Sequence, residues 1–264
     1  MCEVLGVSRD AYYKRATRGE REAESIEGVL EVAREIRRDE PRTGTRKLHD
    51  RLDRWGQTIG RDRLFDVLRE RRMLVKPKKK FQRTTYSRHR YSVAPNRLKS
   101  MVVERPNQAL VCDITYLTLN RGFAYLFLVT DVYSRKIVGY HLSRDLSHYS
   151  ACSALQRAIR GLRDTTGIVC HSDRGCQYCC HEYLALLAEH SMVSSMTDES
   201  HCYQNAIAER VNGILKDEFS IDAVFSTFAD ALGDVHKAIS VYNGKRTHWS
   251  LGLRTPAEVY GRAA

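Results

Sequence analysis

Apolar residues recur along the first part of the chain at steps of three and four. Ile26, Leu30, Ala33 and Ile36 mark one face of a helix that ends before Pro41. Leu48, Leu52 and Trp55 repeat the spacing in TRKLHDRLDRWG, GQTIG interrupts it, and Leu64, Val67 and Leu68 resume it in GRDRLFDVLRERRML. From Ala109 the period changes. ALVCDITYLTL, FAYLFLVTDVYS and KIVGYHL are β-rich runs separated by the turn-forming NRG and SRK, which predicts a three-stranded antiparallel meander. A helix over DLSHYSACSALQRAIRGL, a short buried strand GIVCHSD, a helix EYLALLAEH, a strand SMVSSM and a helix from Asn205 to Phe219 follow. The last helix carries Phe225, Phe228, Leu232, Val235, Ile239 and Tyr242 as a narrow apolar seam. Packing of that seam on the domain's own core is expected over a partner interface.

From Ala109 onward the order βββαβαβα describes a mixed α/β sheet with helices on both faces, the order of the ribonuclease-H-like fold. The preceding residues are α-helical. Leu5-Gly6-Val7-Ser8 reads as a helix end, a glycine turn and a Ser N-cap, a partial helix-turn-helix over residues 1–20. Residues 21–75 repeat the order helix, short glycine turn, arginine-rich helix. This is the order of a DNA-reading helix-turn-helix, shared with helical hairpins that bind nothing.

The longest apolar run, FAYLFLV, has seven residues, far short of the roughly 20 that cross a bilayer. The first ten residues carry two acids and no apolar targeting core. A soluble, cytoplasmic protein with no membrane partner is expected, its eight cysteines reduced.

The net charge of +11 is concentrated. Residues 1–75 hold 18 basic and 15 acidic side chains, residues 100–264 hold 16 and 17, and residues 76–99 hold nine basic and none acidic. Within that segment, KPKKKFQRTTYSRHRYSVAPNRLK, aromatic residues are spaced among the cations. Lys78, Lys79, Lys80 and Arg83 suit phosphates, and the aromatics suit base stacking or docking. An extended basic linker over 76–105, tracking DNA, is expected.

Three acids stand out by position. Asp113 lies in mid-strand, Asp173 ends the strand GIVCHSD, and Glu209 lies on the helix after the fifth strand. At about 100° per residue from Ile207, Val211, Ile214 and Leu215 fall within about 80° of it, while Glu209, Asn205, Asn212 and Lys216 gather on the opposite side. A plain solvated face shares this pattern. Acids on strand one, strand four and a later helix can also converge, and two magnesium ions held by such carboxylates would align the attacking and leaving oxygens of a phosphodiester. Asp131, in TDVYSR, is expected to be structural. HSDRGCQYCCHEY also suggests zinc through His171, Cys176, Cys179, Cys180 and His181. Adjacent cysteines do not point one way, however, and separated ligand pairs are missing, so the cysteines are expected to pack the next helix.

The stretches CEVLGVSRDAYYKR, TGTRKLHDRL, PNQALVCDITYLTL, VTDVYSRKIVGY, HSDRGCQY, CYQNAIAERVNGILKDE and YNGKRTHWSLGLRTPAEVY, with 35 residues between Asp173 and Glu209, together resemble the second-frame (OrfB-type) transposases of insertion sequence family three. More broadly, the chain is similar to the DDE integrases that include retroviral integrase. The resemblance implies a ribonuclease-H-like catalytic domain over 106–264 with Asp113, Asp173 and Glu209 as catalytic and metal-binding triad. It implies two Mg2+ ions, with Mn2+ as substitute. The expected reaction is cleavage at the ends of an insertion sequence followed by strand transfer through the 3′-hydroxyl. Lys216 and Asn205 are expected to contact DNA near the scissile phosphate. The expected partners are double-stranded DNA (element ends and target), further copies of the chain in a synaptic complex, and a first-frame protein supplied separately or by frameshifted fusion. The expected setting is the bacterial nucleoid. A catalytically silent repressor and a ribonuclease-H-like nuclease are the alternatives.

Overall fold

The computed structural model describes residues 9–75, 93–198 and 205–262. The chain divides into two units, Met1–Lys78 and Lys79–Ala264.

In the first unit, α1 (Arg9–Asp39), α2 (Thr45–Arg54) and α3 (Arg61–Glu70) share one small core. The periodic residues Leu30, Ala33, Leu48, Leu52, Leu64 and Leu68 are fully buried in it. α1 runs without a break from Arg9 to Asp39. Gly56, at φ 75°, opens the turn between α2 and α3 in a conformation that favours glycine. Polar ties hold the three helices. The Arg37 guanidinium donates to the carbonyls of Met73 (2.7 Å) and Thr43 (3.2 Å). The buried Glu40 carboxylate pairs with Arg51 and accepts from the Thr43 hydroxyl, the partners that a buried acid requires. Trp55 and Phe65 are left exposed, with the Arg69 guanidinium over the Phe65 ring. The basic side chains Lys78, Lys79, Lys80 and Arg83 lie outside the described residues.

In the second unit, β1 (Ala109–Leu119), β2 (Phe123–Asp131) and β3 (Ile137–Ser143) form the antiparallel meander, while β4 (Val169–Ser172) and β5 (Val193–Met196) extend the sheet in parallel from β1. The order is β3-β2-β1-β4-β5. The buried Asp131 closes the β2–β3 turn by accepting from the backbone N–H of Asn107 (2.7 Å) and of Ser134 (2.7 Å) and from the Ser134 hydroxyl (2.6 Å). Its lone pairs are used by the turn and by the chain entering β1, a structural role.

One sheet face, with Leu110, Cys112, Phe127 and Val129, packs on α4 (His148–Ile159), the single turn α5 (Cys176–Cys179) and α6 (His181–Glu189). Gly139 makes the α4 approach possible, because a Cβ there would lie 2.4 Å from the Ala154 carbonyl oxygen. The opposite face, with Leu117, Leu126 and Leu128, packs on α7 (Ala206–Phe219) and α8 (Phe228–Gly244). The fold is ribonuclease-H-like, a mixed sheet between two helical layers, preceded by a helical region.

The apolar seam of the last helix packs on this own core: Val235, Ile239 and Tyr242 are buried there. Its first member differs from expectation. Phe225 belongs to a two-residue strand, β6 (Val224–Phe225), that pairs in parallel with Thr118–Leu119 of β1. The helix starts later because Thr227 and Asp230 form a reciprocal capping box, at 3.0 and 3.1 Å. Beyond α8, the buried Arg246 guanidinium reaches back to α7 and binds both carboxylate oxygens of Glu218, at 2.7 and 2.8 Å. A short helix, α9 (Pro256–Arg262), follows.

Candidate active site

Side chains alternate across β1, so Asp113 shares the face of Val111, Thr115 and Leu117, the face covered by α7 and α8. Asp113 pairs with Leu128 of β2, while the ladder to β4 ends with Val111 opposite His171. Continuing that register by two residues brings Asp113 abreast of Asp173, the first residue past β4. Asp173 is fixed by its own turn: its Oδ1 accepts the Gly175 backbone N–H at 2.9 Å. A Cβ at Gly175 would lie 3.0 Å from that oxygen. The Arg174 guanidinium donates to the Thr197 carbonyl at 2.8 Å and holds the turn against the end of β5.

α7 lies over this strand end. Ala208, Val211, Ile214 and Leu215 bury its apolar side. Its polar side is not a plain solvated face. Asn212 is buried and its Nδ2 donates to Asp113 Oδ2 at 2.6 Å. Asn205, expected to reach DNA, is instead buried with Nδ2 3.4 Å from the Cys112 carbonyl oxygen. It braces β1 next to the acid. Glu209 is exposed and Lys216 half-buried on the same helix.

The electrostatics join these positions. The Asp113 carboxyl is pushed up to about 7, first by burial and then by the negative charges of Asp173 and Glu209, against the stabilising hydrogen bonds from the Ile114 N–H and the Asn212 amide. Burial lowers the Lys216 ammonium, while Asp222, Asp113 and Asp217 act to raise it. The three acids therefore share one electrostatic neighbourhood. The donor set fits a hard divalent cation: it is all oxygen. The Asn212 Oδ1, buried without a hydrogen-bond partner among the described residues, adds a neutral acceptor beside it. The three carboxylates do not converge to within 4.8 Å of one another.

The cysteines of HSDRGCQYCCHEY do not gather around a metal with their motif partners. Cys179 and Cys180 are buried in the core of the sheet face carrying α4–α6, and Cys176 is exposed. His171, on β4, is buried with Nδ1 2.9 Å from the Ser195 hydroxyl.

An integrase core domain is the class that this fold and this set of acids define. The family model of that name matches residues 103–202, and a second model of the same description matches 190–256. An insertion element IS600 uncharacterized 31 kDa protein of Shigella sonnei is 35% identical over 261 residues, covering 97% of this chain and 96% of the relative. Transposase InsF for insertion sequence IS3A of Escherichia coli K12 is 32% identical over 225 residues, covering 83% of this chain and 77% of the relative. Among solved structures, a chain of the simian T-cell lymphotropic virus intasome in complex with PP2A regulatory subunit B56 gamma superposes with TM-score 0.53 at 17% identity, over 83% of this chain and 70% of that one. The chain belongs to the transposases of insertion sequence family three.

Proposed function

We propose that this chain is the DDE transposase of an insertion sequence, cutting DNA at the element's ends and joining the released 3′-hydroxyl to target DNA. The observation that carries this reading is the coupling of Asp113, on the central strand, to Asp173 and Glu209 from two other elements. Asp113, Asp173 and Glu209 would hold two Mg2+ ions, which Mn2+ can replace. Such ions, when bound, supply Lewis-acid stabilisation of the oxygens entering and leaving phosphorus.

The chain's own residues set up the rest. Asn212 fixes one oxygen of Asp113 and leaves the other for a ligand. The Gly175 N–H locks the rotamer of Asp173. Lys216, half-buried beside the acids, offers positive charge to a scissile phosphate. Water serves as nucleophile for cleavage and the 3′-hydroxyl for joining, so one site performs both steps. Double-stranded DNA would be gripped by the helix-turn-helix of residues 21–75 and tracked by Lys78, Lys79, Lys80 and Arg83 in the linker. On α3, the exposed Arg61, Arg63 and Arg69 are each paired with an acid. Exposed pairs of this kind contribute little and yield readily to phosphate. No described helix is long and apolar enough to cross a membrane, and the proposed setting is the bacterial cytoplasm, on the nucleoid. Copies of the chain would assemble on paired ends, with a first-frame protein as partner or fusion.

A strand-transfer assay on end-sequence oligonucleotides, with Mg2+ and with EDTA, tests the proposal. Joined product in Mg2+ alone supports it. Hydrolysis without joining identifies a nuclease instead, and binding without cleavage a repressor.

A further inference from the structure

A second set of metal-capable side chains stands apart from the three acids. His148, Cys180 and Glu182 each present one ligand atom, and the three atoms lie within 4.8 Å of one another. His148 opens α4, Cys180 caps α6, and Glu182 lies in the first turn of α6. The imidazole Nε2 of His148 is 3.8 Å from a Glu182 oxygen, is buried, and has no hydrogen-bond partner among the described residues. The Cys180 thiol is buried, with the Gln177 carbonyl oxygen at 3.4 Å. One turn after His148, on the same face of α4, is Cys152, a free cysteine on which the charges of both Cys180 and Glu182 act.

We infer that His148, Cys180 and Glu182 form a binding site for zinc or a chemically similar divalent metal. One nitrogen, one carboxylate oxygen and one sulfur are donors that zinc accepts, whereas magnesium selects oxygen alone. Cys152, four residues after His148 on α4 but outside that group of three, is the candidate for a fourth ligand. The Cys180 thiol passes its proton to solvent as the metal–sulfur bond forms, and the N-terminus of α6 favours the resulting negative sulfur. The ion would clamp α4 to α6, and so fix the far end of the segment that begins at Asp173. The ligands are not those suggested by the motif. Of its five candidate residues only Cys180 takes part, and His148 and Cys152 come from the preceding helix.

The test uses the full chain, reduced and stripped with EDTA, then titrated with Zn2+ against a chromophoric chelator and with Co2+ followed by absorption. Sulfur-to-cobalt charge-transfer bands report thiolate ligation, which the three acids cannot produce. One equivalent of metal with such bands is expected. Cys180→Ser should remove at least half of the band intensity, and His148→Ala and Glu182→Gln should each weaken binding at least tenfold. Cys176→Ser and His181→Ala should bind as the parent does. Circular dichroism checks that each variant is folded, and His148→Ala decides the matter if Cys180→Ser is not. Absence of thiolate bands in the parent, or their loss in Cys176→Ser as much as in Cys180→Ser, overturns the site. Unchanged bands in Cys152→Ser remove Cys152 from the ligand set.

Discussion

The Nδ2 of Asn212 lies 2.6 Å from Oδ2 of Asp113, and this contact joins α7 to the central strand. It is a hydrogen bond to a carboxylate that two other carboxylates repel. Replacing it with a like charge reverses its effect. Two unit charges at 4 Å interact by about 4 kcal/mol at an effective dielectric constant of 20. Asn212→Asp is therefore expected to lower strand transfer by about 100-fold or more, at roughly 1.4 kcal/mol per tenfold. Asn212→Ala should cost less. A steady-state joining assay at saturating Mg2+ checks the order, and equal activities for the two variants would exclude an electrostatic role for the contact.

Asp113→Asn, Asp173→Asn and Glu209→Gln are each expected to abolish cleavage while binding of end DNA survives. The pair of readouts is a cleavage assay and a gel-shift titration on the same oligonucleotide. Near-normal cleavage by any one variant removes that residue from the triad.

The raised carboxyl of Asp113 predicts a pH effect in protein stripped of divalent ions. Its ordinary value of 3.8 moves to about 7 on folding. The folded state thus holds the proton more tightly than the unfolded chain. The stabilisation is full below pH 3.8 and is lost as pH rises through about 7. Asp113→Asn should melt higher than the parent at pH 8 in EDTA by a few degrees, about 2–4 °C per kcal/mol, and the gap should narrow at pH 5. Thermal melts of both proteins across that range provide the check. An equal gap at both pH values contradicts the assignment.

Arg246 and Glu218 form a bidentate pair with the guanidinium fully buried. Arg246→Ala leaves the acid without its cation and should destabilise the protein by about 3–5 kcal/mol. The double variant Arg246→Met, Glu218→Met should regain most of that. Urea midpoints for the two proteins decide it, since a double variant as unstable as the single one rules out an unpaired charge as the cause.

Neutralising Lys78, Lys79, Lys80 and Arg83 as glutamines should reduce the slope of log binding constant against log salt by about three to four units, if each neutralises one phosphate. Binding of end DNA between low and moderate salt measures it. An unchanged slope reduces the segment to a tether.

Much of the fold was legible because the period of the apolar positions changes sharply at Ala109. The alternation of ALVCDITYLTL and the three-and-four steps of α7 each admit one element type. Phe225 was misread because it continues the spacing of α8 by chance. A two-residue strand has no period of its own, and the Thr227–Asp230 capping box was the available signal. The three acids were visible as positions on strands and a helix. The inward turn of Asn205 and Asn212 was not, because a helical wheel shows which residues share a side, not what covers that side. His148 and Cys152 were passed over because four-residue spacing on an amphipathic helix looks like any other packing pair until Cys180 and Glu182 are placed beside it.

Glu218 stands nine residues after Glu209 on α7, and the arginine that holds it comes from beyond α8. A gene copy that acquires a stop codon just after α8 would still encode all three acids in their proper spacing. Its α7 would keep a carboxylate tuned to a partner no longer synthesised, and would lose the anchor that sets its position. Decayed copies of such an element can thus fall silent while every residue of the triad remains readable, and inventories that count acids alone will overstate how many copies are alive.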